Sequence, residues 1–183
     1  MTSVIVVDNF YDDVDQVREH ALSLTYDVIG NYPGRRTGPM NDEWRAYIRK
    51  YLEDNVLKQK ITYWPANYNT AYQYTTSLDK TWIHRDETAW AGIIYLTPDA
   101  PVEYGTGLYR HKETGEMEYI PGGNDWNELH QTEDDWDLVN FIGNVYNRLV
   151  LYKGFCYHKS MGPTAGFGTD LYTGRLFQTF FFN

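Results

Sequence analysis

Thr81-Trp82-Ile83-His84-Arg85-Asp86-Glu87-Thr88-Ala89-Trp90-Ala91-Gly92-Ile93-Ile94-Tyr95-Leu96 is the stretch from which the rest of the chain is read. Residues i and i+2 of an extended segment share a face, so His84 and Asp86 can point together while Arg85 points away. Trp90 to Leu96 is an apolar run with the pattern of a core strand. A His-x-Asp pair therefore leads into the interior of a β structure.

Working outward, the chain from Ile61 on consists of short runs rich in Tyr, Thr, Ile and Phe, separated by Gly, Pro, Asn and Asp. This pattern predicts strands at 61–64, 70–77, 81–84, 90–96, 106–111, 148–152, 156–160 and 175–182. That number suits a double-sheet jelly roll. Upstream, Val4 to Val7 reads as a strand. Asp12 or Asp13 can cap a helix carrying Val14, Val17, Ala21 and Leu22 at helical spacing. Gly30 to Pro39 reads as a loop, and Asn41 can cap a second helix with Trp44, Ile48, Tyr51, Leu52 and Val56 on one side. The expected fold class is α+β, mainly β: one domain over 1–183, with 1–60 as helical support and 61–183 as the jelly-roll core.

Two segments interrupt that core. Residues 112–147 hold nine acids and one base, a net of −8 out of the chain's −9. They read as a solvated insertion anchored by aromatics, with a short helix from Thr132 to Gly143 that is opened by a Thr132–Asp135 capping pair and has Trp136, Val139 and Ile142 facing one way. Gly162 to Gly174 is a glycine-rich connection before the last strand.

Composition narrows the function. Hydrophobic residues make up 42 % and aromatics 17 % of 183 residues, enough for a real core. The acidic balance lacks the footprint needed by a phosphate backbone, which disfavours nucleic acid as a partner. One cysteine, Cys156, excludes an intrachain disulfide framework and fits a reducing compartment. The run Val4 to Val7 is too short for a signal peptide's apolar region, and no later run approaches a membrane span, so the cytoplasm is the expected location, with no membrane partner.

Two imidazoles and one carboxylate can occupy one face of a metal ion and leave the other positions open. About 0.7 His-x-Asp/Glu matches are expected by chance from five histidines and 25 acids, and two occur. His111-Lys112-Glu113 runs into Thr114-Gly115-Glu116 and reads as a hairpin turn exposed to water. His84 and Asp86 have the core context. His158, on a short strand after Arg148 to Tyr152, supplies the third ligand, whereas His20 and His130 read as packing or surface residues. The same ligands suit zinc as well as iron, and Cys156 can share the face of His158.

With these residues in place, the chain resembles the 2-oxoglutarate/iron(II)-dependent oxygenases, and among them the prolyl 4-hydroxylase-like branch. The resemblance rests on Val4-Ile5-Val6-Val7-Asp8-Asn9-Phe10 before an acid-capped helix, on Ile94-Tyr95-Leu96-Thr97, on Tyr104-Gly105-Thr106-Gly107-Leu108-Tyr109, and on Arg175-Leu176-Phe177-Gln178-Thr179. It implies a double-stranded β-helix in which His84, Asp86 and His158 hold iron(II). It implies that Arg175 grips the distal carboxylate of 2-oxoglutarate, with Thr179 on the same strand face and Tyr95 as a hydroxyl partner. Tyr74, or its neighbour on the same face Tyr72, is implied near the metal, and Arg148 is the rival to Arg175.

The implied reaction uses dioxygen to hydroxylate an unactivated C–H bond, with a peptidyl or free amino acid as the expected substrate. The interval from His158 to Arg175 is longer than expected of prolyl hydroxylases, so the intervening loop is expected to shape a different pocket. Two other functions compete: a non-catalytic jelly-roll binding module, and a nucleic acid dealkylase with the same iron chemistry, the latter requiring Arg35, Arg36, Arg45 and Arg49 to gather into a basic patch.

Overall fold

Two antiparallel sheets face one another, and the helices cover the outer face of the larger one. The computed structural model describes residues 4–123, 125–126, 132–161 and 166–183. In chain order these contain β1 (Val4–Val7), α1 (Val14–Leu22), β2 (Arg35–Arg36) and α2 (Asp42–Tyr51), which continues as a π-helical segment, Leu52–Leu57. Then follow β3 (Tyr72–Thr75), β4 (Trp90–Tyr95), β5 (Thr106–His111), a 3-10 turn (Glu133–Asp135), β6 (Trp136–Ile142), β7 (Leu149–Lys153), β8 (His158–Ser160) and β9 (Arg175–Phe182). The major sheet has the order β1-β7-β4-β9-β3-β2 and the minor sheet β6-β5-β8. This is the mainly β jelly roll that the strand pattern implies.

Alternation along the central strands builds two cores. Ile94, Leu149, Leu151, Leu176, Phe180 and Phe182 point outward and are buried with Ala21 of α1, Ile48 of α2 and Leu52. Each fully buried aliphatic side chain there contributes roughly 1.5–3 kcal/mol. Ala91, Ile93, Tyr95, Val150, Tyr152 and Phe177 point inward against Leu108 and Ile142 of the minor sheet. The helices start where their caps dictate: Asp13 Oδ1 accepts from Gln16 N at 3.0 Å and Asn41 Oδ1 from Trp44 N at 2.9 Å.

Several expectations are corrected. The Thr132–Asp135 capping box forms, but it opens only the 3-10 turn. Residues 136–142 are strand β6, paired along β5, and not a helix. Trp136, Val139, Phe141 and Ile142 suit a pleated surface better than a helix, and the edge of β5 supplies the backbone partners. Part of the acidic segment is thus integral to the minor sheet. Residues 61–64 form no strand: the amides of Thr62 and Tyr63 both donate to Asn183 O, and Pro65 has no N–H with which to continue a ladder. Segment 81–84 makes only the single bridge His84–His158. Arg35 and Arg36, inside the expected loop, pair with Tyr74 and Gln73 of β3. Residues 162–165 and His130 lie outside the described residues. Among the described residues no helix is long and apolar enough to cross a membrane.

Candidate metal centre

His84 and His158 face each other across two backbone hydrogen bonds: His84 N donates to His158 O at 3.0 Å, and His158 N to His84 O at 2.8 Å. That exchange brings the two rings to a centroid separation of 4.4 Å. Asp86 is pinned by its own amide, which donates to Gly154 O at 2.8 Å in the turn between β7 and β8. One ligand atom from each of His84, Asp86 and His158 lies within 4.8 Å of the others. Among the described residues no other group of three such side chains is found.

The tautomers follow from the partners. His84 Nδ1 is 2.9 Å from Trp82 O and His158 Nδ1 is 2.8 Å from Cys156 O. A carbonyl only accepts, so each Nδ1 carries the proton and each Nε2 keeps a lone pair for a ligand. Desolvation, aided by the charge of His158, pushes His84 down to about 4 against the pull of Asp86, which leaves the ring neutral at ordinary pH. Desolvation pushes Asp86 up, but the approach of His158 Nε2 at 3.3 Å and the electrostatic pull of His158, His84 and Arg36 outweigh it. The carboxyl lies below its usual range and is ionised. Two imidazole Nε2 atoms and one carboxylate make a donor set for a divalent cation.

Arg175 lies at the opposite end of the inner face. It is 2 % exposed, yet no carboxylate among the described residues pairs with it. Its Nη1 donates to Ser160 Oγ, its Nη2 to Gly105 O at 3.2 Å, and its Nε has no partner. A desolvated guanidinium held by neutral groups is a site for an anion. Ser160 is two residues beyond His158 on the same face of β8, about 7 Å along the strand, so Arg175, reaching across from β9 of the major sheet, meets the minor sheet next to His158. Tyr95 is fully buried beside it, its hydroxyl 2.8 Å from Thr106 Oγ1, and the Arg175 guanidinium carbon is 5.3 Å from the Tyr95 ring centre. Arg148, its rival in the sequence, is instead paired with Asp8 in two contacts of 2.6 and 2.9 Å.

Thr179 shares the Arg175 face, as the strand alternation requires, and its hydroxyl is within 3.0 Å of Tyr68 O and 3.2 Å of Ala71 O. Tyr74 is corrected. It packs with Tyr26 at a ring separation of 5.1 Å in the outer core under the helices, and Tyr72 lies on that same outer side. The inward residues of β3 are Gln73 and Thr75, whose partners across β9 are Phe177 and Arg175. The turn at Gly115 forms as expected, but His111 is buried, its ring stacked 3.9 Å from that of Trp126. His20 packs edge-on against Tyr72. Cys156 turns its sulfur toward Glu118, 3.9 Å away, and contributes its carbonyl to His158. Two inward residues were missed by the sequence reading: Tyr152, whose ring is 4.5 Å from that of His158, and Arg36, which hydrogen-bonds Gln73. Position i+2 from the core residue Val150 would have found Tyr152. A two-residue strand leaves no signal for Arg36.

Over residues 1–182 the chain matches the sequence profile of a family of unknown function, DUF6445. The chain belongs to this family. No curated protein matches the sequence of this DUF6445 member. Among solved structures, HygX from Streptomyces hygroscopicus with nickel and 2-oxoglutarate bound is similar at a TM-score of 0.59 and 12 % identity, over 100 % of this chain and 83 % of that one. A second HygX structure, which also holds hygromycin B, gives a TM-score of 0.55 with the same identity and coverage. A prolyl-4-hydroxylase from Pseudomonas putida is more distant, with a TM-score of 0.44 and 14 % identity over 98 % of this chain and 91 % of that one, too far to place the DUF6445 chain in that branch. The likeness to HygX is one of fold.

Proposed function

We propose that this chain is an iron(II)- and 2-oxoglutarate-dependent dioxygenase that hydroxylates an unactivated C–H bond. One observation carries the reading: a buried guanidinium with no carboxylate partner among the described residues reaches from β9 to Ser160, two residues and about 7 Å of strand beyond His158 of the His84, Asp86 and His158 donor set. A structural zinc site needs no second cation, and a simple binding module needs no metal donors. A dicarboxylate that chelates a metal at one end requires both.

In this reading the Nε2 atoms of His84 and His158 and the Asp86 carboxylate would hold the metal. Trp82 O and Cys156 O fix the ring orientations. Arg175 takes the distal carboxylate through charge-assisted hydrogen bonds, assisted by the Tyr95 and Thr106 hydroxyls. Tyr152, Ile93, Val150, Phe177 and Leu108 keep water from the inner face. Iron(II), 2-oxoglutarate and dioxygen bound there supply oxidative decarboxylation to succinate coupled to hydroxylation. The shared fold with HygX, solved with nickel and 2-oxoglutarate, supports the assignment.

The arginines required by a dealkylase do not gather: Arg45 pairs with Asp42, Arg49 with Glu53, and Arg36 is buried. Anaerobic addition of iron(II) and then 2-oxoglutarate tests the proposal. A visible metal-to-ligand charge-transfer band that disappears in His84→Ala and His158→Ala is expected. Absence of both metal uptake and band overturns it.

A further inference from the structure

On the inner face of the major sheet, with Arg175, stands a second buried cation, which the proposed chemistry does not use. Arg36 is 6 % exposed and, like Arg175, makes no ion pair with a carboxylate among the described residues. Its position is built by the chain on either side. Gly34 has φ +77°, and a Cβ there would sit 2.0 Å from Tyr74 O, so only glycine lets the turn lie against β3. The turn delivers Pro33 O to Gln73 Nε2 at 2.7 Å, which fixes the amide so that its oxygen faces Arg36. Gln73 Oε1 then accepts from Arg36 Nε at 2.9 Å and Nη2 at 2.6 Å, while the Tyr32 ring stacks 3.8 Å from the guanidinium carbon.

These contacts leave a defined vacancy in hydrogen bonding. A guanidinium has five N–H groups, and Gln73 takes one on Nε and one on Nη2. The edge formed by Nη1 and the second Nη2 proton retains parallel donors, the geometry that matches a carboxylate. A neutral amide leaves the charge itself uncancelled. Phe181, 5.9 Å from the guanidinium carbon, lies in the row of Ala91 and Tyr152, the row beside His158. Arg36 therefore faces the metal end of the inner face. By strand geometry, two strand spacings and two residues separate it from Arg175, about 12 Å between backbones, so the two guanidinia serve different ligands.

We propose that Arg36, held by Gln73 and Tyr32, is a specificity-determining residue that binds a free carboxylate of the primary substrate and presents the neighbouring carbons to the metal. This rests on the dioxygenase reading and narrows its substrate to small carboxylic acids, amino acids among them, in place of an internal residue of a peptide.

The test uses the full chain loaded with nickel(II) and 2-oxoglutarate, which binds without turnover, and calorimetric titration with the twenty free amino acids, their N-acetyl derivatives and the carboxamide of each. At least one acid is expected to bind roughly tenfold or more tightly than its amide, the range of one charge-assisted contact. Arg36→Gln is expected to erase the acid-over-amide preference while the affinity for 2-oxoglutarate changes less than about twofold, and Arg36→Lys to retain part of the preference. The proposal is overturned if no acid in the panel binds, if acid and amide bind alike to the wild type, if Arg36→Gln keeps the preference, or if it loses 2-oxoglutarate instead. The acid-amide comparison needs no variant, so a misfolded Arg36→Gln does not rescue the idea. Failure of the parent reading shows separately, as a wild-type chain that takes up neither metal nor 2-oxoglutarate.

Discussion

Replacing Arg175 by Met separates a functional charge from a structural one. The substitution keeps most of the volume beside Tyr95 and Phe177, whose ring centres lie 5.3 and 5.0 Å from the guanidinium carbon. It removes the hydrogen bonds to Ser160 Oγ and Gly105 O, worth roughly 1.5–3 kcal/mol each when the donor is charged. It also removes a buried cation with no carboxylate partner and an unpaired Nε, whose desolvation opposes folding by several kcal/mol. The two effects nearly offset each other, so the ligand-free melting temperature is expected to move by no more than about 5 °C in a chain of this size. Ligand binding has no such compensation. Two charge-assisted contacts to one carboxylate amount to about 3–6 kcal/mol, or roughly 10²- to 10⁴-fold in the dissociation constant of 2-oxoglutarate. Scanning calorimetry with nickel(II) and graded 2-oxoglutarate reads both quantities. At a hundredfold excess over its dissociation constant the ligand raises wild-type stability by about 2.7 kcal/mol, and Arg175→Met is expected to lose that rise. Arg148→Met, which breaks the partly exposed pair with Asp8 and a long hydrogen bond of 3.3 Å to Gly143 O, is expected to keep it and to cost about 1 kcal/mol. A variant at position 175 that melts far below the wild type and still shows the full ligand-induced rise refutes the reasoning.

Other expectations reach different parts of the molecule. At Gly154 a Cβ would lie 2.1 Å from Thr88 O and 3.4 Å from Asp86 Cβ, so Gly154→Ala is expected to displace Asp86 and weaken nickel(II) uptake, measured by calorimetry, with a smaller effect on melting temperature. Leu151→Ala opens a cavity in the outer core and is expected to cost about 2–5 kcal/mol in a denaturant titration. Glu53 is buried, and its hydrogen bond from Lys60 at 2.6 Å, aided by Ile61 N and Arg49 against desolvation, pushes its carboxyl down to about 2 from an ordinary 4.5. The folded-state value is the lower one, so this stabilisation is complete above about pH 4.5 and is lost as pH falls toward 2. The gap in melting temperature between wild type and Glu53→Gln is expected to close over that window, and a gap independent of pH contradicts the assignment.

The central strands and the candidate donors were legible because alternation and spacing carry them. His84 and Asp86 are read as one face from their i, i+2 relation, and Arg175 and Thr179 from i, i+4 on a strand. Alternation states which residues share a face and not which face turns inward, and that is where Tyr74 fails. Both sides of β3 are buried, one under the helices and one toward the interior between the sheets, so an aromatic residue fits either. The segment 132–142 misleads for a different reason. Its capping box is real, but a local start signal is overridden one turn later by the open edge of β5. Arg36 was hidden because a strand of two residues has no period, and its place on the inner wall is set by Gln73 and a glycine turn far from it in sequence.

The most direct measurement is a crystal structure of the chain grown anaerobically with nickel(II) and 2-oxoglutarate, with anomalous scattering recorded at the nickel edge. The expected result is a single ordered anomalous peak bonded to His84 Nε2, His158 Nε2 and an Asp86 carboxylate oxygen, with 2-oxoglutarate chelating it and ending on Arg175. A peak held by other side chains, or a 2-oxoglutarate molecule whose distal carboxylate lies away from Arg175, contradicts the proposed chemistry.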